Sequence, residues 1–415
     1  MSGPSGIIGV VSVWSQVVGQ PEAVAELRAA VEHAARVRFS TDEPRAGDDA
    51  EGGRSGGAMT HAWLFTGPPG SGRSVAARAF AAALQCPRGG CDACQVCHTV
   101  LARTHADVHE VVTEGLSLGV KEMRAVIERA ARMPTTARWQ IVLIEDADRM
   151  TEQASNAVLK AVEEPNERTV FLLCAPSEHP DDVSVTIRSR CRPLRLRTPV
   201  TSAIAEVLVE RDGIDAETAS WAASVCGGHI GRARRLARDE DARNRREAVL
   251  AVPRSLRSAA EVFAAADGLV GAAEAEVVAL TGERDEAERE ELAVSMGAGG
   301  SGKGVAQAQR AAKAAEKDLV AKQKQRATRT RRDALDRALV DLAGYYRDVL
   351  VRGFGAQVTA THPDRAREVE SAARDGSPEA ALRRLEAVLA CREALEANVK
   401  PQIAVEAMVT ALRDG

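Results

Sequence analysis

The sequence predicts a parallel α/β sheet followed by an all-helical half, on three observations. An apolar run, His61-Ala-Trp-Leu-Phe-Thr66, passes through the glycine-rich turn Gly67-Pro-Pro-Gly-Ser-Gly-Arg73-Ser74 into an alanine-rich helical stretch, Val75 to Leu84. Short apolar runs and helical stretches then alternate over residues 60–200, the interleaving that builds βαβ units. From Thr201 onward the strand signals stop.

At 415 residues the chain has room for two or three domains. With 55 Lys and Arg against 59 Asp and Glu, the formal net charge is −4, so no overall basic field steers it to nucleic acid. Any such contact must be local or shared with partners. The start, Met1 to Val13, lacks a basic opening and its apolar run is broken by Gly and Ser, unlike a secretory signal. No apolar run reaches membrane-spanning length, and a soluble, cytoplasmic chain with no membrane partner is expected. Aromatics make up only 3%, which leaves few platforms for stacking bases.

Taken in order, Trp14-Ser-Gln-Val-Val-Gly19-Gln20-Pro21 opens the folded part, and Glu22 to Arg38 follows with Val24, Leu27 and Val31 at helical spacing. Pro21 stands where a first helical turn tolerates it. Residues 40–58 hold almost nothing apolar and read as a disordered or surface loop. The turn Gly67 to Ser74 is a phosphate-cradling loop: Gly67, Gly70 and Gly72 let backbone N–H groups turn onto an anion, and the helix that follows adds its positive dipole end. Arg73 stands where that loop asks for Lys, while Ser74 keeps the hydroxyl that would hold Mg²⁺. Arg is a planar fork where Lys is a compact charge, so the exchange puts hydrolysis in doubt.

Cys86, Cys91, Cys94 and Cys97 form a C-x4-C-x2-C-x2-C array, the spacing of four thiolates around one tetrahedral, structural Zn²⁺. Unrelated free thiols and a redox pair are the alternatives, and His98 is a possible substitute ligand, read as a neighbour on the next helix. Asp107 to Thr113 reads as a strand, and Gly119 to Arg132 as a helix with Val120, Met123, Val126 and Ile127 on one face. Trp139 to Ile144 is an apolar strand that delivers Glu145-Asp146-Ala147-Asp148 at its carboxyl end, where a parallel sheet binds ligands. One carboxylate there can hold the Mg²⁺ shell and a second can position water, roles that fall to Glu145 and Asp146.

Thr151 to Glu164 is a helix stopped by Pro165, with Ala154, Val158 and Val162 as its apolar stripe. Thr169 to Cys174 is another buried strand, and Leu194-Arg-Leu-Arg197 alternates like a half-buried one. Ala203 to Arg211, Ala216 to Val225 and Gly231 to Ala237 read as three short helices, and residues 245–415 as nearly all helix. Gly297-Ala-Gly-Gly-Ser-Gly-Lys303-Gly304 nearly repeats the phosphate-loop pattern, but Gly304 lacks the hydroxyl and no apolar strand precedes it, so it reads as a flexible linker. The basic run Lys322 to Arg332 reads as a solvated helix face, with a phosphate-backbone role as the alternative.

Phosphate loop, cysteine array, acidic strand end, Glu163-Glu164-Pro165 and Ser189-Arg190-Cys191 stand in one order along the chain. In that order they resemble the clamp-loader branch of the AAA+ ATPases, with motif support over residues 14–240 and likeness of architecture beyond. Asn156 to Pro165 and Thr186 to Cys191 carry the most specific likeness. The resemblance implies an AAA+ α/β domain over 1–200 with a zinc module at 86–97, a three-helix lid over 201–244, and a helical collar over 245–415 with a polar insertion at about 283–332. It also implies partners: ATPase motor subunits and a delta subunit in a five-membered ring that opens a sliding clamp and places it on primed DNA. Through them the chain would belong to the DNA polymerase III holoenzyme, a nucleotidyltransferase complex.

Motor subunits of this family carry Lys in the loop, an Asp-Glu acidic box, a threonine-bearing sensor and a lid arginine. Here the matching positions are Arg73, Glu145-Asp146, Ala175-Pro176-Ser177, and Gly231 with Arg232 one residue displaced. ATP or ADP with Mg²⁺ would therefore bind weakly, and independent hydrolysis is not expected. Arg190 keeps its motif, and the resemblance implies an arginine finger donated to a neighbouring ATPase subunit by a stator-like chain. The alternatives are an Arg190 that pairs with an acidic residue of its own domain, and a chain that is itself an active motor.

Overall fold

The computed structural model describes residues 12–37, 58–296 and 305–415. The expectations for the first eleven residues, for nearly all of 40–58 and for the linker at 297–304 fall outside them. The chain divides into two compact units, the first chiefly residues up to 216 with Gly228–Gly231, the second Glu217–Gly227 and Arg232–Gly415 with Glu114–Leu116.

In the first unit five parallel strands, β1 (Ala62–Thr66), β2 (Val108–Val111), β3 (Gln140–Ile144), β4 (Thr169–Ala175) and β5 (Arg192–Arg195), form one sheet in the order β2-β3-β4-β1-β5. A parallel α/β sheet is what the sequence predicts. Every residue of β1, β3 and β4 is buried, as strands covered on both faces require. Period-two alternation sends Trp63 and Phe65 into one core cluster with α1 (Pro21–Arg36) and α2 (Arg73–Gln85), and Ala62 and Leu64 into the other. Alanines at 76, 77, 79 and 81–83 are all buried, so α2 lies close against the sheet.

The other face is covered by α4 (Val120–Ala130) and α5 (Glu152–Glu163), α3 (Gln95–Leu101) being the short helix of the cysteine segment. Ala154, Val158 and Val162 are buried at the expected spacing, and Thr151 caps α5 by accepting from the Ala154 N–H. The last strand begins two residues earlier than the alternation predicts, at Arg192. As an edge strand paired, among the described residues, with β1 alone, it tolerates Pro193. The turn before it is helical, α6 (Val185–Arg188), capped by Ser184. Next come α7 (Thr201–Glu210) and then α8 (Ala216–Val225) and α9 (Ile230–Arg238), which fall chiefly in the second unit, at the three short helices expected.

In the second unit α10 (Glu240–Ala251), α11 (Ala259–Met296), α12 (Val305–Gly353), α13 (Ala366–Asp375), α14 (Pro378–Glu396) and α15 (Pro401–Asp414) enclose one apolar cluster that includes Leu269, Leu335, Leu342, Tyr346, Val388 and Val405. Either side of 297–304 the polar stretch 283–332 is helical, as the ends of two helices of 38 and 49 residues.

Candidate functional site

Three groups of predicted residues lie in the first unit, two of them at opposite ends of α2. At its N-terminus Gly70 and Gly72 both have φ +89°, a left-handed conformation that favours glycine. A Cβ on Gly67 would sit 2.5 Å from the Leu196 carbonyl oxygen, and one on Gly70 would sit 2.6 Å from the His229 Cα. The turn is therefore built for bare backbone, with His229 packed against its middle. Gln20 ties it down, its amide donating to the carbonyls of Ser71 at 3.3 Å and Arg197 at 2.5 Å.

Arg73 does not project outward. Its Nη1 donates to the Gly67 carbonyl at 2.6 Å, so the cation is spent on the loop that it should serve. Glu145, expected to hold a Mg²⁺ shell, lies in a cluster that sequence reasoning missed. Arg78 of α2 donates to Glu145 at 2.6 Å and pairs with Glu110 of β2, and Arg103 reaches Glu110 at 3.1 Å and Glu145 at 3.3 Å. Burial, then the adjoining Glu110 carboxyl, pushes Glu145 up to about 7 against the pull of Arg103 and Arg78. Burial also works against ionised Glu110, but the hydrogen bond from Glu145 and the two guanidiniums hold it below its ordinary range. Asp146 precedes a single helical turn, Ala147–Arg149, and its carbonyl accepts from the Arg149 N–H at 3.1 Å. Burial raises Asp148, and the Asp146 charge adds to it. The loop backbone suits a phosphate, but Arg73 is bound to the loop's own Gly67 carbonyl and Glu145 to Arg78 and Arg103.

At the far end of α2 the cysteine sulfurs of Cys86, Cys91, Cys94 and Cys97 all lie within 4.8 Å of one another. Cys86 Sγ is 3.7 Å from both Cys91 Sγ and Cys94 Sγ, and a tetrahedron of ~2.3 Å zinc–sulfur bonds has edges of about 3.8 Å. Backbone N–H groups point at the sulfurs, Arg88 onto Cys86 at 3.3 Å and Cys97 onto Cys94 at 3.5 Å. Burial disfavours the Cys86 thiolate, but N–H groups of Cys91, Gly90 and Arg88 outweigh it and bring the thiol down to about 6. Burial moves Cys97 the other way. Four sulfurs leave no open position, so the set suits a structural metal. His98 is turned away, its ring nitrogen 3.1 Å from the Asp92 carbonyl oxygen. Gly90, at φ +98°, packs so closely that a Cβ would lie 2.6 Å from Val13, whose N–H donates to the Gly90 carbonyl at 3.0 Å.

The third group is Arg190, just past α6. Its Nη2 is 2.7 Å from Glu163 Oε1, in the Glu-Glu-Pro stop of α5, and Nη1 donates to the Thr186 carbonyl at 2.9 Å. Both side chains of the pair remain about 40% exposed (40% and 38%). In the second unit Arg232, one residue past the family's lid position, is bound to both oxygens of Asp341 at 2.5 Å.

Against known proteins, residues 51–200 match the family model described as DNA polymerase III, delta subunit. Over that stretch the chain is similar to subunits of the DNA polymerase III clamp loader. It is 34% identical to the delta-prime subunit of Bacillus subtilis over 157 residues, which are 37% of this chain and 47% of that one. To the gamma/tau subunit of Mycobacterium tuberculosis (strain H37Rv) it is 32% identical over 173 residues, 40% of this chain and 30% of the other. The chain thus spans about half the length of the delta-prime relative and less of the gamma/tau one. A gamma subunit-related protein from Thermotoga maritima superposes with a TM-score of 0.38 at 16% identity, over 85% of this chain and 93% of that one. Among the described residues no helix is long and apolar enough to cross a membrane.

Proposed function

We propose that this chain is a delta-prime-like stator of a clamp loader, which lends Arg190 to a neighbouring ATPase subunit while its own phosphate loop does not hydrolyse ATP. The observation that carries the reading is a contrast between two arginines. Arg73 is folded onto the Gly67 carbonyl inside its own loop, whereas Arg190 stands on a half-exposed turn in an ion pair open to water. An exposed pair of this kind contributes about 0–1 kcal/mol, so exchanging Glu163 for a phosphate oxygen costs little. A guanidinium at that oxygen stabilises charge that builds as the phosphoryl group transfers.

Within this reading the cysteine set holds a structural Zn²⁺ that fixes the end of α2. The lid of 201–244 and the collar of 245–415 serve assembly into a ring with motor and delta subunits, and the ring acts on a sliding clamp and primed DNA. The test is Arg190→Ala in the reconstituted complex. DNA-stimulated turnover at the completed site falls by about 10³–10⁵, and clamp loading falls with it. Unchanged turnover means that Arg190 belongs to its own domain alone. The second reading, an active motor, has the gamma/tau likeness and Ser74 in its favour. Brisk ATP hydrolysis by the purified chain would establish it and remove the first.

A further inference from the structure

The distal parts of α11 and α12 carry opposite charge and little apolar core. Residues 305–333 of α12 hold nine Lys and Arg against three Asp and Glu, whereas residues 277–296 of α11 hold six acidic residues against two basic. The two helices are stitched by polar groups: Gln323 donates to the Asp285 carbonyl at 2.8 Å, Arg289 donates to Gln323 at 3.0 Å, and Arg326 donates to Glu288 at 2.9 Å. Arg326 is thereby consumed inside the hairpin. Arg329 leans on Asp333 at 3.6 Å and Arg332 donates to Asn398 at 3.3 Å. Arg310, Lys317, Lys324 and Arg331 recur every seven residues and so share one helix face, with Lys313 beside Lys317 on the next turn. Arg310, Lys313, Lys317 and Lys324 are exposed, and no carboxylate pairs with the three lysines among the described residues; Arg331 leans on Glu274 at 3.6 Å.

We propose that this ridge of α12 binds the phosphate backbone of duplex DNA without reading its sequence. From Arg310 to Arg331 the ridge runs about 32 Å at 1.5 Å per residue, close to the ~34 Å of one duplex turn. Single strands are a poorer fit, because residues 305–333 contain no aromatic side chain on which a base could stack. A protein partner is also a poorer fit. Val320 is the one exposed large apolar side chain between 310 and 333 among the described residues, too little for the apolar centre of a protein interface. The acidic bias of α11 confines a polyanion to the α12 edge, so contact is a line of a few phosphates. The proposal rests neither on the Arg190 reading nor on the state of the phosphate loop, and its test involves no nucleotide.

The experiment is fluorescence anisotropy of a labelled 24-base-pair duplex, and of the matching single strand, titrated with the full chain between 50 and 200 mM salt. Four phosphate contacts give a slope of log affinity against log salt of about −3.6, a loss of about two orders of magnitude across that range. Lys313→Gln/Lys317→Gln/Lys324→Gln weakens duplex binding and flattens the slope by about 2.7. Gln keeps the helix, and a circular dichroism melt checks it. Arg367→Gln/Arg374→Gln/Lys400→Gln removes the same charge from exposed positions elsewhere in the second unit and leaves the slope in place. Equal effects of the two triple variants overturn the ridge in favour of net charge. Binding that ignores salt, binding unaltered by the ridge variant, or a single strand bound as tightly as the duplex overturns it outright.

Discussion

Two loops flank α2, and they differ in how much of the molecule each needs. The cysteine loop draws its donors from twelve consecutive residues and its sulfurs already sit at zinc-like separations. The phosphate loop keeps its glycine backbone, but Glu145 of the acidic strand end is held by Arg78 of α2 and Arg103 of the segment after α3, with Glu110 of β2 in the same cluster. A site made from one local segment survives or fails as a unit. One assembled from four segments can lose its chemistry and keep its shape.

The largest effect should follow from breaking the local one. Cys94→Ser removes one sulfur but leaves a good helix cap, since Cys94 caps α3 by accepting from the Cys97 N–H. Any large loss is then metal loss and not capping. Because structural zinc contributes about 10–16 kcal/mol of binding in small zinc modules, the variant is expected to lose bound metal and more than about 3 kcal/mol of stability. Metal analysis of the purified chain should find one zinc per chain in the parent and none in the variant, with a lowered melting temperature. A parent without zinc and an indifferent variant would reduce the four cysteines to free thiols and dissolve the contrast.

The same contrast explains what the sequence made legible. The cysteine array, the strand–turn–helix around Gly67 to Ser74, and the Ala154, Val158 and Val162 stripe depend on neighbours within a few turns of chain. The Arg78–Glu110–Glu145–Arg103 cluster depends on β2 lying beside β3, a pairing that spacing does not reveal. The Glu163 contact of Arg190 likewise joins the end of α5 to the end of α6. Residues 283–332 read as a polar insertion because their helices are stitched by Gln323 and Arg326 instead of by an apolar stripe. Pro193 concealed the true start of β5, since a proline suggests an interruption unless the strand is known to be an edge.

A smaller effect tests whether the cluster costs stability. Glu145 is raised from an ordinary 4.5 to about 7, so between those values the folded chain holds a proton that the unfolded chain has released. Its contribution to stability is complete below about pH 4.5 and is lost as pH rises through 7. Glu110 is shifted the other way, and its contribution is present above its unfolded value and lost on acidification. Glu145→Gln keeps an acceptor for Arg78 without the charge. It should match the parent near pH 4.5 and exceed it by about 1–3 kcal/mol at pH 8, read by urea unfolding at both. A variant that is weaker at pH 8 means that Arg78 and Arg103 need the ionised carboxylate, and the cluster is a net stabiliser.

The smallest effect is expected where the sequence looks most damaged. Arg73→Lys restores the residue type that the phosphate loop asks for and releases the 2.6 Å bond onto the Gly67 carbonyl. If Arg73 were the sole defect, turnover would return. Yet Lys at 73 leaves Glu145 under Arg78 and Arg103, and Ala175-Pro176-Ser177 without a threonine. Hydrolysis depends on all these groups being positioned together. The expected outcome is a gain in ATP affinity of less than about tenfold, ~1.4 kcal/mol, with turnover still at background. Titration of nucleotide with and without Mg²⁺, alongside a phosphate-release assay, separates the two, because a metal-independent gain is what a repaired loop beside an occupied acidic cluster should give.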